Sequence, residues 1–597
     1  MEEYRQRRAA RTDEHARLAR LDARLAYARL AAIAGIALSV WLVLQLDMTG
    51  WLIALLAVAF AALAVWHDRV IRATDRASRA VALYENGILR LEDRWHDVGE
   101  TGARFLTEDH LYARDLDIFG PGSLFQLLSL ARTHLGEELL ARWLTTPAPL
   151  PTVRQRQEAT AELREAHDFR EALATAGGAS RDIDTIALSA WASAPAVPES
   201  LWLRTAAIVL AAAIIGTAVW WARGGPVSPL LIAIVLKMVL TRPSRKRVAR
   251  VVRGVERPLS QLDVLADTLS LIEQATFKSG RLVEIRSDMM SHGVVPSVAI
   301  GRLKRLADML DWRRNAIFAP ISAAVSWPLH LASAIEAWRH EFGPKVIAWL
   351  SAIGEYEALS SLGAYAYEHP DDRFPSFVED GPARFEAASL GHPLVPAARM
   401  VRNDVFLTPQ VRLLIVSGSN MSGKSTLLRT VGVNVVLAMA GAPVRAAALT
   451  MTPLTVGATL LVHDSLQAGR SRFFAEISRI RRIADLADHA PSPLFLLDEL
   501  FQGTNSHDRR IGAEALLRSL IDRGAIGLTT THDLALTAIA NHSDGRAVNV
   551  HFEDQLKDGE LVFDYRMRPG PVTHSNALAL MKAVGLPVDT IGRTADS

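Results

Sequence analysis

Residues 418–425 have the spacing G-x-x-x-x-G-K-S, which is typical of a loop that binds phosphate groups. The loop follows an apolar run at 413–416 and precedes a stretch with helical character at 426–439. A strand, a glycine-rich loop and a helix N-terminus would together turn backbone N–H groups and the positive end of a helix dipole toward a triphosphate. The sequence therefore predicts a nucleoside triphosphate site formed by Gly418, Ser419, Asn420, Met421, Ser422, Gly423, Lys424, Ser425 and Thr426.

Phosphoryl transfer needs a metal ion, a positioned water and groups that stabilise negative charge, and five side chains have suitable types. Lys424 would contact the β- and γ-phosphates, while the Ser425 hydroxyl would bind Mg²⁺. Asp498 and Glu499 end a second apolar run; Asp498 suits the Mg²⁺ shell, and Glu499 suits the orientation of an attacking water. His532 follows a third apolar run and is suited to contact the γ-phosphate. The sequence thus predicts Glu499, His532 and Lys424 as catalytic residues and Ser425 and Asp498 as metal ligands.

Composition excludes several classes of protein. Half of the 597 residues are hydrophobic, which allows a large core and excludes global disorder. The absence of cysteine excludes disulfides, thiolate metal sites and thiol catalysis. A net charge of only +2 gives no global basic field of the kind that indicates a nucleic-acid partner.

Four apolar runs are long enough, or nearly so, to cross a hydrocarbon core. The first two, 30–46 and 48–66, contain no charged residue, and neither does the third run, 205–222. The fourth run, 227–240, is shorter and contains Lys237, so it is the least certain crossing. These runs predict two transmembrane helical hairpins and about four crossings, and buried core helices are the alternative interpretation.

The distribution of Lys and Arg predicts the orientation of these hairpins. The first 29 residues hold eight Arg, and residues 242–253 hold six basic residues and no acid. Both segments should face the cytoplasm, which predicts a multi-pass protein of the inner (cytoplasmic) membrane. The basic stripe at 237–253 would face anionic lipid, with DNA phosphates as the alternative. The uncharged stretch 315–335 is expected to be a buried soluble helix, because a fifth crossing would place Lys424 outside the cell.

Periodicity predicts mainly helix before residue 375 and alternating strands and helices after it. The predicted fold is an α/β P-loop ATPase domain at the C-terminus, preceded by an all-α domain and two transmembrane hairpins. The predicted segments are a basic cytoplasmic N-terminus, a first transmembrane hairpin, a connector, a first set of helices, a second hairpin, a second set of helices and the ATPase domain. Their respective boundaries are 1–29, 30–66, 67–104, 105–200, 201–240, 241–374 and 375–597.

Four motifs in the C-terminal region resemble those of the MutS mismatch-repair family of ABC-type ATPases. SGSNMSGKST at 417–426 resembles TGPNMGGKST, LDELFQGT at 497–504 resembles MDEIGRGT, TTHD at 530–533 resembles ATHY, and GRSRFFAE at 469–476 resembles GRSTFMVE. The segments 119–125, 135–144, 391–393 and 569–587 also resemble parts of the family's lever and ATPase domains. The resemblance covers most of 105–597, and its diagnostic motifs lie within 391–590.

The resemblance implies that the C-terminal P-loop ATPase domain is of the ABC type and that the helices of 105–200 and 241–374 form an all-α lever domain. It also implies ATP and Mg²⁺ as ligands, a homodimer with two composite sites, and DNA as a partner. It also implies that Ser471 acts on the nucleotide of the partner subunit. Ser419, Ser422, Arg472, Phe474 and Gln502 depart from the family's usual residues, which leaves hydrolysis expected and puts the coupling across the dimer in question.

No segment resembles the family's mismatch-reading module or its DNA clamp, and the N-terminus carries a predicted membrane hairpin instead. We therefore expect a membrane-anchored ATPase that binds DNA through shape or backbone. A membrane ATP switch that acts on a protein or envelope partner is the alternative. An ABC transporter is less favoured, because four apolar runs are few for a translocation path and no LSGGQ-like signature is present.

Overall fold

The computed structural model describes residues 1–46, 50–176, 185–195, 201–244, 246, 248–251, 262–291, 293–315, 318–419, 422–460, 472–501, 505–557 and 560–572. Helices account for nearly all regular structure before residue 375. In this part the helices are α1 (Glu2–Leu46), α2 (Trp51–Leu91), α3 (Leu124–Leu128), α4 (His134–Thr145), α5 (Leu150–Glu165), α6 (His167–Thr175), α7 (Thr185–Ser193), α8 (Leu201–Ala222), α9 (Ser228–Thr241), α10 (Leu262–Gln274), α11 (Gly280–Met290), α12 (Pro296–Asp311), α13 (Ala319–Ala324) and α14 (Trp327–Glu368).

The first two helices pack against each other as a long hairpin that extends well beyond the apolar runs. Each helix has an apolar half and a polar half and runs through both without a break, because no proline or cap interrupts the chain near residues 29 or 67. The apolar halves leave large side chains such as Leu44 and Val58 exposed. By length and composition, three helices of the described chain could cross a membrane: Glu2–Gln45, Trp51–Leu91 and Arg204–Ala222. The apolar helix Ser228–Thr241 is shorter than such a span.

The helical body is built around α14, a 42-residue helix that packs against α4, α5, α7 and α12. Its second half is buried on nearly every side, since neighbouring helices surround it. Leu262, Leu265, Leu269 and Ile272 recur at intervals of three or four residues and are buried on α10.

Two stretches differ from the expected helical pattern. Residues 106–123 form turns and carry Gly120 and Gly122 at positive φ, where a helix cannot continue. The stretch 315–335, expected to be one buried helix, contains α13 and the start of α14, with a break at Ser326 (φ +53°). Much of α13 is exposed.

The C-terminal region has two sheets. The strands are β1 (Ser376–Phe377), β2 (Phe385–Leu390), β3 (Asn403–Leu407), β4 (Leu413–Ser417), β5 (Ala448–Met451), β6 (Leu454–Thr459), β7 (Ser492–Leu497), β8 (Ile526–Thr531), β9 (Ala547–Lys557) and β10 (Glu560–Pro569). The helices here are α15 (Lys424–Ala440), α16 (Arg472–Asp485), α17 (Ser506–Asp522) and α18 (Leu534–Thr537). Within the described part of the chain, the larger sheet has the order β10-β9-β4-β8-β7-β6, and the smaller sheet has the order β1-β5-β2-β3.

The larger sheet positions the predicted site. Its strands β9, β4, β8, β7 and β6 run parallel, and β4, β7 and β8 are buried almost throughout. Ser417 pairs with Thr531, and Leu497 pairs with Thr529, so the carboxyl ends of β4, β7 and β8 meet at one edge. Ligands of open parallel sheets bind at such an edge. The predicted class, an α/β C-terminal domain after a helical region, is confirmed.

Candidate functional site

Two glycines give the phosphate-binding loop its shape. Gly418 follows β4 with φ +149°, and Gly423 precedes α15 with φ +102°. A Cβ atom on Gly418 would lie 2.8 Å from the backbone oxygen of Phe552, which is too close for any other residue. Ser422 closes the loop by donating from its hydroxyl to the Ser419 carbonyl at 2.8 Å. Ser422 therefore contributes a contact that the usual glycine of the family motif has no side chain to make.

Lys424 begins α15 and is almost fully buried. Its ammonium donates to the carbonyl oxygens of Gly418 and Ser419, each at 2.8 Å, so it lies inside the loop. Burial lowers the pKa of Lys424, because a low-dielectric surrounding disfavours the charged form, while Glu499 and Asp498 oppose this shift. A buried ammonium at a helix N-terminus is suited to bind an anionic group.

Ser425 and Asp498 come together although 73 positions separate them. The Ser425 hydroxyl donates to Asp498 Oδ2 at 2.7 Å, and the Thr530 hydroxyl donates to Asp498 Oδ1. Asp498 is held further by its own N–H, which donates to the Thr459 carbonyl at 3.0 Å. The carboxylate thus has a fixed direction at the edge of the sheet.

Glu499 and His532 form a second pair beside the first. His532 Nδ1 lies 2.9 Å from Glu499 Oε1. Glu499 has φ +50°, a conformation that a residue with a side chain rarely adopts and that surrounding contacts must maintain. One such contact is its N–H, which donates to Thr530 Oγ1 at 3.1 Å. The strained backbone turns Glu499 out of the strand and toward His532.

Sequence reasoning missed two residues at this edge. Thr530 joins Asp498 to Glu499, and a signal was available, because a hydroxyl at the end of a strand parallel to β7 must lie beside the acids. Tyr565 was not detectable in this way. It lies in the irregular register of the β9–β10 pair with φ +54°, and its ring is 3.0 Å from a Cβ atom built on Gly423. A local backbone irregularity therefore places an aromatic ring against the loop.

The donor set fits Mg²⁺. A hydroxyl and a carboxylate are oxygen ligands of the kind that Mg²⁺ prefers, and this ion usually takes its remaining ligands from water and phosphate. Consistent with so sparse a set, the described residues contain no group of three or more His, Asp or Glu side chains arranged around one metal position. Ser419 Oγ is also buried and has no hydrogen-bond partner among the residues that the structure describes, which leaves a polar atom of the loop available to a ligand.

Three predicted residues lie outside the described part of the chain: Asn420 and Met421 of the loop, and Ser471. The neighbouring Glu476 is described and buried, and its Oε1 accepts from the Phe501 N–H at 2.7 Å. The helix that follows residue 471 is thereby attached to the turn after Glu499.

Comparison with known proteins matches the region that carries this site. Residues 414–597 match a protein family described as MutS domain V. The chain is 36% identical over 215 residues to the DNA mismatch repair protein MutS 2 of Haloarcula marismortui, covering 35% of this chain and 22% of that protein. It is 32% identical over 252 residues to the endonuclease MutS2 of Thermus thermophilus, covering 41% and 31%. It is 30% identical over 280 residues to the DNA mismatch repair protein MutS of Geobacillus thermodenitrificans, covering 46% and 30%.

These matches span less than a third of the length of each of the three relatives. The family match covers the part of the chain where the sheet edge, the loop and the two acids meet. The C-terminal region is thus similar to MutS domain V, and part of the chain is similar to the three relatives.

Proposed function

We propose that this protein is a membrane-anchored ATPase that hydrolyses ATP at the edge of its larger sheet. The observation that carries the proposal is the joint position of Lys424, Ser425, Asp498, Glu499 and His532 around one phosphate-binding loop. Side chains from β4–α15, β7 and β8 converge there, as phosphoryl transfer requires.

Each residue has a role that its contacts support. Lys424 binds the β- and γ-phosphates from inside the loop. Ser425 and Asp498 hold Mg²⁺, which neutralises developing charge on the phosphate oxygens when it is bound. Glu499 orients and polarises the attacking water, and His532, hydrogen-bonded to Glu499, contacts the γ-phosphate. The Thr530 hydroxyl holds the carboxylate of Asp498 and the backbone N–H of Glu499.

The membrane anchor consists of the two apolar hairpins. Their long uncharged stretches and exposed aliphatic side chains support insertion into a bilayer, because acyl chains solvate apolar surfaces whose exposure to water is unfavourable. We place the protein in the cytoplasmic membrane with about four crossings and with the ATPase domain in the cytoplasm. The basic residues at 5–29 and 242–253 support this orientation.

The working form is a homodimer in which ATP closes two nucleotide domains on each other. Ser471 of each subunit would complete the site of its neighbour. The closure would move the helical body, since α15 packs against α4 and α5, and these pack against α14. DNA is the partner that this closure serves, because two of the relatives are named as DNA mismatch repair proteins and one as an endonuclease. Binding would follow DNA shape or backbone rather than a mismatch.

The experiment that tests the DNA role is the ATPase rate of detergent-solubilised protein with added duplex, branched or single-stranded DNA at two salt concentrations. Stimulation by one structure that weakens as salt rises is expected, because phosphate contacts release counterions. An ATPase rate that no DNA changes would instead favour a membrane switch with a protein or envelope partner.

A further inference from the structure

An apolar surface formed by α13 and its flanking residues lies beside the second hairpin. We define the interface segment as the described residues of 312–327. Trp312 and Ile321 expose 55% and 52% of their side chains, and Ala319, Pro320 and Ala323 are also exposed. Residues 315–335 contain no Lys, Arg, Asp or Glu. The body of the protein therefore leaves several residues of 319–323 uncovered, in a stretch without charge that follows Arg313 and Arg314.

Lys237 connects the interface segment to the second hairpin. This lysine belongs to α9 and is 8% exposed, and its ammonium donates to the carbonyl oxygens of Ala323 and Ala324, the latter at 2.6 Å. The last carbonyls of a helix have no partner within the helix, so a cation there satisfies them. The same contact pairs an ammonium that would otherwise be buried alone in an apolar helix. The contact therefore favours a position of α13 on the hairpin.

The contact lies at the end of the hairpin that faces the cytoplasm in the proposed orientation. Lys237 is one turn from the end of α9, and the basic residues from Arg242 onward follow it. At the same end, Trp202 lies in the first turn of α8 and is 63% exposed. Tryptophan concentrates at the level of lipid headgroups, where an apolar ring with a polar N–H is favoured.

Three rings of the interface segment form one cluster. Trp312 stacks on Trp327 with ring centroids 6.4 Å apart, and Phe318 meets the Trp327 ring edge-on at 5.4 Å. Trp327 donates from Nε1 to the Met309 carbonyl at 2.8 Å, so the cluster is fixed to the helical body. The exposed Trp312 ring thus has a fixed position beside α13.

We propose that the interface segment lies in the boundary between lipid headgroups and acyl chains, docked on the cytoplasmic end of the second hairpin. Its partner is the bilayer surface itself. This inference rests on the proposed membrane anchoring. It extends that proposal, because α14 begins within the segment at Trp327 and ends at Glu368, just before the ATPase domain. The segment would make α14 a direct connection between the lipid surface and the nucleotide site.

The absence of cysteine makes a spin-label test direct, since one introduced cysteine is the only labelling site. Ile321→Cys reports on the segment. Ile232→Cys, at a position of α9 that is 67% exposed, reports on the hairpin. Val298→Cys, at a position of α12 that is 62% exposed, reports on the aqueous body. Each variant is reconstituted in vesicles of phosphatidylcholine and phosphatidylglycerol. Collision of the label with oxygen, which enters lipid, is then compared with collision with a water-soluble nickel chelate.

The expected oxygen-to-nickel ratio at position 321 lies well above that at 298 and approaches that at 232. A ratio at 321 equal to that at 298, with a high ratio at 232, would overturn the inference and leave the anchor intact. Low ratios at both 232 and 321 would overturn the proposed anchor. Spin–spin broadening at 321 with little access for either reagent would overturn the inference in favour of contact with a second copy of the chain.

A second variant tests the connection to the hairpin. Lys237→Met keeps an unbranched side chain and removes the cation, so the ratio at 321 should fall toward that at 298 while the ratio at 232 stays unchanged. An unchanged ratio at 321 would show that Lys237 does not hold the segment at the membrane.

Discussion

Thr530 shows how much of the site depends on single contacts. Its hydroxyl donates to Asp498 and accepts from the Glu499 N–H, so one side chain fixes the directions of two acids with different proposed roles. The sequence predicted the acids from their types and positions, because a polar residue after a buried strand must emerge at the sheet edge. It could not predict the positive φ of Glu499 or the position of Tyr565, because both depend on contacts between distant strands.

Lys424 is the residue whose loss should affect nucleotide binding most. For Lys424→Ala we expect ATP affinity to fall by about 100-fold or more, since charge-assisted contacts to two phosphates would be lost. Equilibrium binding of a fluorescent ATP analogue measures this. Lys278→Ala, at an exposed position of the helical body, is the matched control and should bind normally. Equal affinity of the two variants would contradict the placement of phosphate at the loop.

Glu357 should make stability depend on pH. Burial raises the pKa of this carboxyl on α14 to about 7, from an ordinary value of 4.5, while hydrogen bonds from Thr133 oppose the shift. Between these values the unfolded chain loses the proton and the folded chain keeps it. The free energy of unfolding should therefore decrease as pH rises from about 4.5 to about 7, by up to about 3 kcal/mol.

Glu357→Gln removes this titration. Thermal unfolding in detergent, followed by circular dichroism at pH 5 and pH 8, should show a smaller pH dependence for the variant than for the wild type. Glu284→Gln, at a largely exposed position on α11, is the control and should retain the wild-type dependence. A Glu357→Gln variant with the full wild-type dependence would exclude Glu357 as its source.

At the level of elements, the stem of the first hairpin is joined to the end of α14 by a buried ion pair. Arg90 on α2 donates from Nε and Nη2 to the two carboxylate oxygens of Glu368 at 2.7 and 2.6 Å. Tyr4 on α1 adds a hydrogen bond to the same carboxylate at 3.3 Å. Glu368 lies seven residues before Pro375, so the ion pair connects the proposed anchor to the entry of the ATPase domain.

Breaking one side of this pair should cost more than removing both. Glu368→Gln leaves the Arg90 charge buried and should lower the free energy of local opening by about 3–5 kcal/mol, whereas Arg90→Met with Glu368→Leu should recover most of the loss. Hydrogen exchange of the amides at 84–91 and 362–368 measures local opening. Asp485→Asn breaks the exposed pair with Arg481 and should change local opening little, because water screens both charges. A Glu368→Gln cost as small as that of Asp485→Asn would contradict the role of the pair.

Elements were predictable where apolar periodicity decides them, and less so where backbone geometry does. The strands β4, β7 and β8 and the buried stripe of α10 follow from runs of apolar residues. The turns at 106–123 did not follow, because apolar residues such as Leu116 and Ile118 are buried there without a helix. The stretch 315–335 was expected to be buried throughout. Residues 331–333 and 335 are buried, whereas much of α13 is exposed, because the absence of charged residues does not by itself decide burial.

At the level of the whole molecule, one helical body would connect a bilayer to the nucleotide site. The hairpins and the interface segment would hold the lipid side, and α14 would extend about 60 Å from there toward the ATPase domain. ATP binding would be transmitted along this body in the closed dimer. Because ATP binding itself would close the dimer, one substitution should stop hydrolysis without preventing ATP binding or dimer closure.

Glu499→Gln is the measurement that tests this most directly, with Glu514→Gln on α17 as a control that should behave as the wild type. The amide keeps the shape of Glu499 but cannot polarise water as a carboxylate does. Steady-state ATP hydrolysis, ATP affinity and dimer fraction are measured on the same detergent-solubilised protein. We expect the variant to bind ATP with wild-type affinity, to lose nearly all turnover and to accumulate as an ATP-bound dimer. ATP hydrolysis by Glu499→Gln at the wild-type rate would contradict the proposed role of Glu499 in hydrolysis.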